Sequence, residues 1–145
     1  MQIEYINPSE DIVSKIECSN RIIRSLFYIY KYTNNKFEQS QSLIQINKIL
    51  FGQNGIEGIF DSISRTNSRK IAEMYISIGY IFLEMHIKNS KEHDLIKNIN
   101  LKLNLNTNNP LEISKELFEN AIQKSKKSDF TRKRAEDALE LTSKY

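Results

Sequence analysis

The sequence is poor in the residues that break helices and in those that crosslink chains. Its 145 residues include four glycines, two prolines, one cysteine and no tryptophan. So few glycines and prolines argue against a turn-rich all-β fold and favour long helices. The single cysteine, Cys18, excludes an internal disulfide. We therefore expect a reducing compartment and a buried or half-buried thiol in the first helix.

A strong net charge and long apolar runs are also missing. The chain has 21 basic and 18 acidic residues and a net charge of +3, too near balance to hold a polyanion by itself. Acidic residues near the N-terminus argue against a signal peptide. The longest apolar stretch, 71–87, is shorter than the roughly 20 residues that a membrane span needs, and Glu73 and Glu84 interrupt it. We expect a cytoplasmic protein, or one exported without a cleaved signal, and no membrane span.

That apolar stretch is the most informative part of the chain. Ile71, Ile78 and Phe82 fall at helical spacing on one face, and Ala72 and Ile76 begin a second apolar surface beside it. A helix that is apolar almost all round must be covered on most sides. The sequence therefore predicts one all-α domain over 1–145, with five or six helices packed around a central helix at about 68–88.

The remaining helices are predicted from their start and stop signals. Asn-Pro pairs at 7–8 and 109–110 favour helix starts, because Asn caps a helix and Pro fits its first position. The stretch 52–55 reads Gly-Gln-Asn-Gly and predicts a break. The predicted helices, besides the central one, cover about 8–31, 36–51, 56–63, 110–127 and 130–143.

One segment follows a different period. Leu101, Leu103 and Leu105 alternate with polar residues over 99–105, which is typical of a strand. Because residues 1–6 alternate as well, the two segments could pair as a minor β-ribbon. The alternatives are an extended arm that adds to a partner's sheet, an ordered loop, or a helix extension.

The sequence contains no recognisable catalytic, metal-binding or nucleotide-binding motif. Two histidines, His86 and His93, and one cysteine would need a further ligand to hold zinc, and neither CxxC nor HxxxH spacing occurs. The glycine-containing stretch 52–58 lacks the Lys-Ser/Thr of a phosphate-binding loop. We expect no enzyme activity, no metal and no cofactor.

The densest charge lies near the C-terminus and could contact phosphates or a protein partner. An acidic stretch follows at once, which favours a solvated helix with ion pairs four residues apart. The basic residues are Lys124, Lys126, Lys127, Arg132, Lys133 and Arg134.

Part of the chain resembles a tetratricopeptide (TPR) repeat. The first TPR helix carries aromatic-x2-apolar-Gly-x2-aromatic, and the second carries small-x3-Phe-x2-Ala. The matching residues here are Tyr75, Ile78, Gly79 and Phe82, and then Ser114, Phe118 and Ala121. Residues 71–122 are therefore similar to a TPR helical hairpin, although the connection is about twenty residues longer than in a standard repeat. The resemblance implies a close helix pair, with Phe118 filling the space beside Gly79, and peptide binding in a groove without catalysis.

Together these observations favour a non-enzymatic protein-binding module. Examples are a small chaperone or adaptor for a secreted protein and an immunity-type inhibitor of a toxin. Several tyrosines lie near the ends of predicted elements, where they would be exposed for contact: Tyr5, Tyr28, Tyr32 and Tyr145. The candidate partner-binding residues are the basic cluster and the three leucines. The alternatives are a nucleic-acid-binding regulator that uses 124–134, and a self-assembling protein in which Ile16 and Ile23 form a seam between subunits.

Overall fold

A computed structural model describes residues 8–126 and 129–145, with side chains from residue 12 onward. Over these residues the chain forms seven helices and one short antiparallel ribbon, so the all-α prediction is confirmed. The elements are α1 (Pro8–Tyr32), α2 (Lys36–Phe51), β1 (Gly52–Gln53), β2 (Ile56–Glu57), α3 (Ile59–Ser64), α4 (Ser68–Ile87), α5 (His93–Leu103), α6 (Pro110–Lys124) and α7 (Phe130–Thr142).

Asparagine defines many of the helix ends. Asn35, Asn67 and Asn109 are the N-caps of α2, α4 and α6, and each side chain accepts a hydrogen bond from a backbone N–H of the first turn. Such bonds satisfy amide groups that have no partner inside the helix. Asn54 and Asn104 adopt positive φ angles, which asparagine tolerates better than most residues. The caps place the helix starts close to where the sequence predicts them.

The central helix is α4, as predicted. It packs against α6 and α7 on one side and contacts α1 and α3 on the other. Helix α6 runs antiparallel to it, because Met85 lies near Pro110 whereas Ala72 packs in the same cluster as Ala121. Two buried clusters result, and both include side chains of α4: a larger one shared with α1, α2, α3, α5 and α6, and a smaller one shared with α6 and α7.

The helices α4 and α6 approach closely at Gly79. A Cβ atom at this position would lie 2.4 Å from Cε1 of Phe118, and the buried Ser114 hydroxyl donates a hydrogen bond of 2.9 Å to the Gly79 carbonyl. The close contact that Gly79 and Phe118 predict is thus present. Because Phe118 is fully buried, its ring fixes the spacing of the two helices.

Of the alternatives for 99–105, the strand is wrong and the helical one is what the structure shows for 99–103, while the predicted minor ribbon is present elsewhere in the chain. Residues 99–103 belong to α5, and the ribbon lies instead at 52–57, where Asn54 and Gly55 form the turn between β1 and β2. The buried side of α5 is formed by Leu95, Ile96 and Ile99, so its apolar face begins before the alternating segment. The other half of the predicted ribbon, 1–6, lies outside the described residues.

Two expectations about α1 are also corrected. Cys18 is exposed, because the buried positions Ile16, Ile23 and Tyr30 lie at seven-residue spacing and place Cys18 on the other side of the helix. Ile16 and Ile23 are 2% and 4% exposed within the chain's own core. The predicted seam between subunits, formed by Ile16 and Ile23, is therefore already covered by the chain's own helices.

Candidate protein-binding groove

A groove lies along α4 between α1 and α7. Its volume is about 410 Å³. Ser77, Tyr80 and Ile81 of α4 contribute to the lining, Phe27 and Tyr28 contribute from α1, and Arg134 contributes from α7. Three helices that are far apart in sequence thus surround one concave surface, the α1–α4–α7 groove.

The spacing of residues along α1 sets its side of the groove. Because Ile23 and Tyr30 are buried, positions that lie more than roughly a quarter turn away from them around the helix are outside the core contact. Arg24 and Tyr28, which are four residues apart, both occupy such positions and line the groove. Phe27 lies between the core and the groove and is half-buried.

Aromatic rings form much of the groove's apolar surface. Tyr28 is 51% exposed, and its ring centroid lies 6.1 Å from that of Phe27 and 6.2 Å from that of Tyr32. The ring of Tyr80 makes an edge-on contact with the buried ring of Phe118, and the two ring centroids lie 5.3 Å apart. These contacts orient the tyrosine rings in advance, which lowers the entropic cost of using them to bind a partner.

The groove has an excess of positive charge. Arg24 and Arg134 are exposed, and neither guanidinium lies within 4 Å of a carboxylate oxygen of the described side chains. The acidic residue in the lining is Glu73, which forms an ion pair of 3.4 Å with Arg69. Two cations therefore remain available to a ligand in the groove.

The structure separates the basic cluster that is contiguous in sequence. Arg132 pairs with Glu136 at 3.5 Å and Lys133 with Asp137 at 2.9 Å, as the alternating charges predict. The hydrogen bond from Lys133 to Asp137 raises the pKa of the lysine. Such exposed pairs stabilise a helix weakly and leave little net charge for a ligand.

The other basic residues of the cluster lie on different surfaces. Lys124 and Lys126 line a separate depression at the start of α4, together with Asp129, whereas Arg134 lines the groove. Lys127 lies outside the described residues. The five cations that the structure places therefore do not form one continuous patch.

The three candidate leucines do not form an open sheet edge. Leu101 is 71% exposed on α5, whereas Leu103 is partly buried against the larger core cluster. Leu105 lies just beyond the helix end and is half-buried. Because the amides of α5 bond within the helix, this segment cannot add a strand to a partner's sheet without unfolding first.

The described residues contain neither a metal-ligand cluster nor a membrane-spanning helix. In the described part of the chain, no three His, Cys, Asp or Glu side chains group closely enough to hold a metal ion. His86 packs edge-on against Tyr145 at 6.3 Å, and His93 is exposed. None of the helices within 8–126 and 129–145 is long and apolar enough to cross a membrane.

No protein-family model, curated protein or solved structure matches this chain. The resemblance to a TPR hairpin over 71–122 therefore stays a prediction from the residues.

Of the groove residues, Arg134 is among the site residues predicted from the sequence, whereas Arg24 and Tyr80 are not. The predicted exposure of Tyr28, Tyr32 and Tyr145 is confirmed, at 51%, 69% and 55%, and Tyr5 lies outside the described residues. A usable signal for the α1 wall was the spacing of Arg24, Tyr28 and Tyr32 by four residues. This spacing puts a basic and two aromatic side chains along one face of α1.

Proposed function

We propose that the protein is a non-enzymatic protein-binding module whose partner docks in the α1–α4–α7 groove. The observation that carries the proposal is the combination, in one concave surface, of pre-oriented aromatic rings and two guanidinium groups that have no carboxylate partner among the described side chains. Tyrosine and arginine are enriched among the residues that dominate protein–protein binding energies. A chaperone or adaptor for a secreted protein and an inhibitor of a toxin would both act by covering a partner in this way.

The alternatives have less support from the geometry. A nucleic-acid-binding regulator would need the 124–134 cations to act together, but Arg132 and Lys133 are paired. Among the other described cations of this run, Lys124 and Lys126 lie on a different surface from Arg134. Self-assembly through Ile16 and Ile23 would need these side chains to leave the core.

The proposal is tested by filling the groove without disturbing the core. Ser77 is exposed on α4, so Ser77→Trp would place an indole in the groove where a partner side chain would lie. Gln123→Trp is the matched control, because Gln123 is exposed on the outer side of α6. Tagged wild-type protein and both variants are used for pull-down from the native organism, without nuclease, and bound protein and nucleic acid are quantified.

We expect a stoichiometric protein partner that the wild type and Gln123→Trp retain and that Ser77→Trp loses. Equal retention by Ser77→Trp would show that the groove is not the binding surface. Recovery of nucleic acid without a protein partner, or of the tagged chain bound only to untagged copies of itself, would contradict the proposed function as a whole.

A further inference from the structure

We infer that the occupant of the groove is an amphipathic helix of the partner, with acidic residues along both edges of its apolar face. The inference rests on the proposed function and specifies the chemistry of the segment that the groove binds. Three features of the groove lead to it.

The first feature is that the groove is built from helices alone. Its lining residues belong to α1, α4 and α7, whose backbone N–H and C=O groups bond within each helix. An extended strand that docked there would find no backbone edge to pair with, and its inward amide groups would lose water. A helix brings its own backbone bonds, so it can be buried at lower cost.

The second feature is the set of aromatic rings that lines the groove. Ile23 and Ile81 are almost fully buried, while the half-exposed rings of Phe27, Tyr28 and Tyr80 border them. Side chains spaced three and four residues apart on one face of a helix can fit between such rings. The groove therefore favours aliphatic or aromatic residues in the middle of the docked face.

The third feature is the position of the two guanidinium groups. Arg24 belongs to α1 and Arg134 to α7, so the cations lie on opposite walls of the groove. Arg132 and Lys133 on α7 have carboxylate partners within the chain, whereas Arg134 has none among the described residues. Arginine binds carboxylates through two parallel hydrogen bonds, so a complementary helix carries Glu or Asp on each edge.

The test uses a display library of helix-forming peptides of about 20 residues. Leucine or phenylalanine is fixed at the inward positions, and the flanking positions are randomised among Glu, Lys and Gln. The library is selected on the wild type, on Arg24→Glu/Arg134→Glu, and on the control Lys124→Glu/Lys126→Glu. All four substituted side chains are exposed, so both variants are expected to fold, which circular dichroism verifies.

We expect Glu to be enriched at the flanks with the wild type and the control, and Lys with the groove variant. A selected Glu-rich peptide should bind Arg24→Glu/Arg134→Glu about tenfold or more weakly than the wild type, and its affinity should fall with added salt.

The other outcomes separate this inference from the proposed function. If Ser77→Trp blocks the selected peptides but they show no preference for Glu, the acidic-helix inference is wrong and the protein-binding function stands. If no peptide is enriched, the acidic-helix inference is wrong, and the pull-down with Ser77→Trp decides the proposed function separately. If the selected peptides bind Ser77→Trp as tightly as the wild type, they do not occupy the groove, and the inference is again wrong. Binding of a single-stranded oligothymidylate that is lost in Arg24→Glu/Arg134→Glu would assign the groove to nucleic acid and overturn both.

Discussion

At the scale of single residues, Gly79 determines how closely α4 and α6 can approach. Replacing it with alanine would place a Cβ atom 2.4 Å from the buried ring of Phe118, so the ring or the helices must move. Because the contact is so short and the ring is fully buried, the overpacking cost is at the upper end of the usual range, about 2–3 kcal/mol, offset in part by alanine's better helix propensity of about 1 kcal/mol. We expect Gly79→Ala to lower the free energy of unfolding by about 1–2 kcal/mol, measured by urea denaturation.

A second substitution tests whether Gly79→Ala destabilises the protein through its contact with Phe118. Phe118→Leu removes the ring edge that the new methyl group meets. The double variant should therefore be more stable than the sum of the two single effects predicts. Additive effects, or an unchanged stability of Gly79→Ala, would show that the close approach at Gly79 does not constrain the two helices.

At the scale of elements, α5 shows where sequence periodicity fails. Ile99, Leu101 and Leu103 alternate in sequence, but one is buried, one is exposed and one is half-buried, so they do not share a face. The segment is helical because α5 buries Leu95, Ile96 and Ile99, which lie at helical spacing. Tertiary packing on the larger core cluster thus outweighs a short alternating pattern.

The other elements were easier to predict because local signals and packing agree. The capping side chains Asn35, Asn67 and Asn109 lie directly before apolar residues at helical spacing, and the corresponding helices begin there. The ribbon had a signal as well, since Asn-Gly at 54–55 is a favoured two-residue hairpin turn. From the sequence, these residues predict only a break between two helices.

The end of α5 offers a test at this scale. Asn104 caps the helix in the left-handed conformation, with φ 54° and ψ 45°. A β-branched residue there carries a penalty of about 1–2 kcal/mol, whereas glycine adopts the conformation readily. We expect Asn104→Val to lower the free energy of unfolding by about that amount and Asn104→Gly to preserve it.

Chemical denaturation measures both substitutions, with Asn106→Val as the matched control. Asn106 is exposed, lies two residues further on, and is outside the left-handed region. If Asn104→Val and Asn106→Val destabilise the protein equally, the helix end does not depend on the conformation of Asn104.

At the scale of the whole molecule, buried phenols make stability depend on alkaline pH. Tyr30 is fully buried and its hydroxyl bonds with that of Ser90, which joins the end of α1 to the α4–α5 connection. Burial raises the pKa of Tyr30 and of Tyr75 above the usual value of 10.0. The unfolded chain therefore loses these protons first as pH rises. The stabilisation is complete below about pH 10 and is lost as pH passes through the raised values.

Urea unfolding of the wild type at about pH 8 and about pH 10.5 should show this loss. Tyr30→Phe has no phenol proton to lose at this position, so it should lose less stability between the two pH values. Tyr32→Phe, which changes an exposed ring, should behave as the wild type does. Identical alkaline losses in all three proteins would exclude Tyr30 as a contributor.

The groove could not be predicted at this scale from the sequence. Arg24 and Arg134 are separated by more than a hundred positions, and nothing local indicates that α1 and α7 flank the same helix. In sequence, Arg134 belongs to a basic run with Arg132 and Lys133. Only the rotation of successive residues around α7 separates it from them and turns it toward the groove.

The order of helices along the chain has a consequence for biosynthesis. The central helix α4 is complete at Ile87, but α6 ends at Lys124 and α7 at Thr142, after the chain has passed through α5. At translation rates of about 5–20 residues per second, α6 and α7 are synthesised on the order of several seconds after α4. During this time the side of α4 that contains Gly79 has no helix packed on it. We therefore expect the nascent chain to expose a hydrophobic helix during that interval, when it is most open to aggregation and to chaperones at the ribosome.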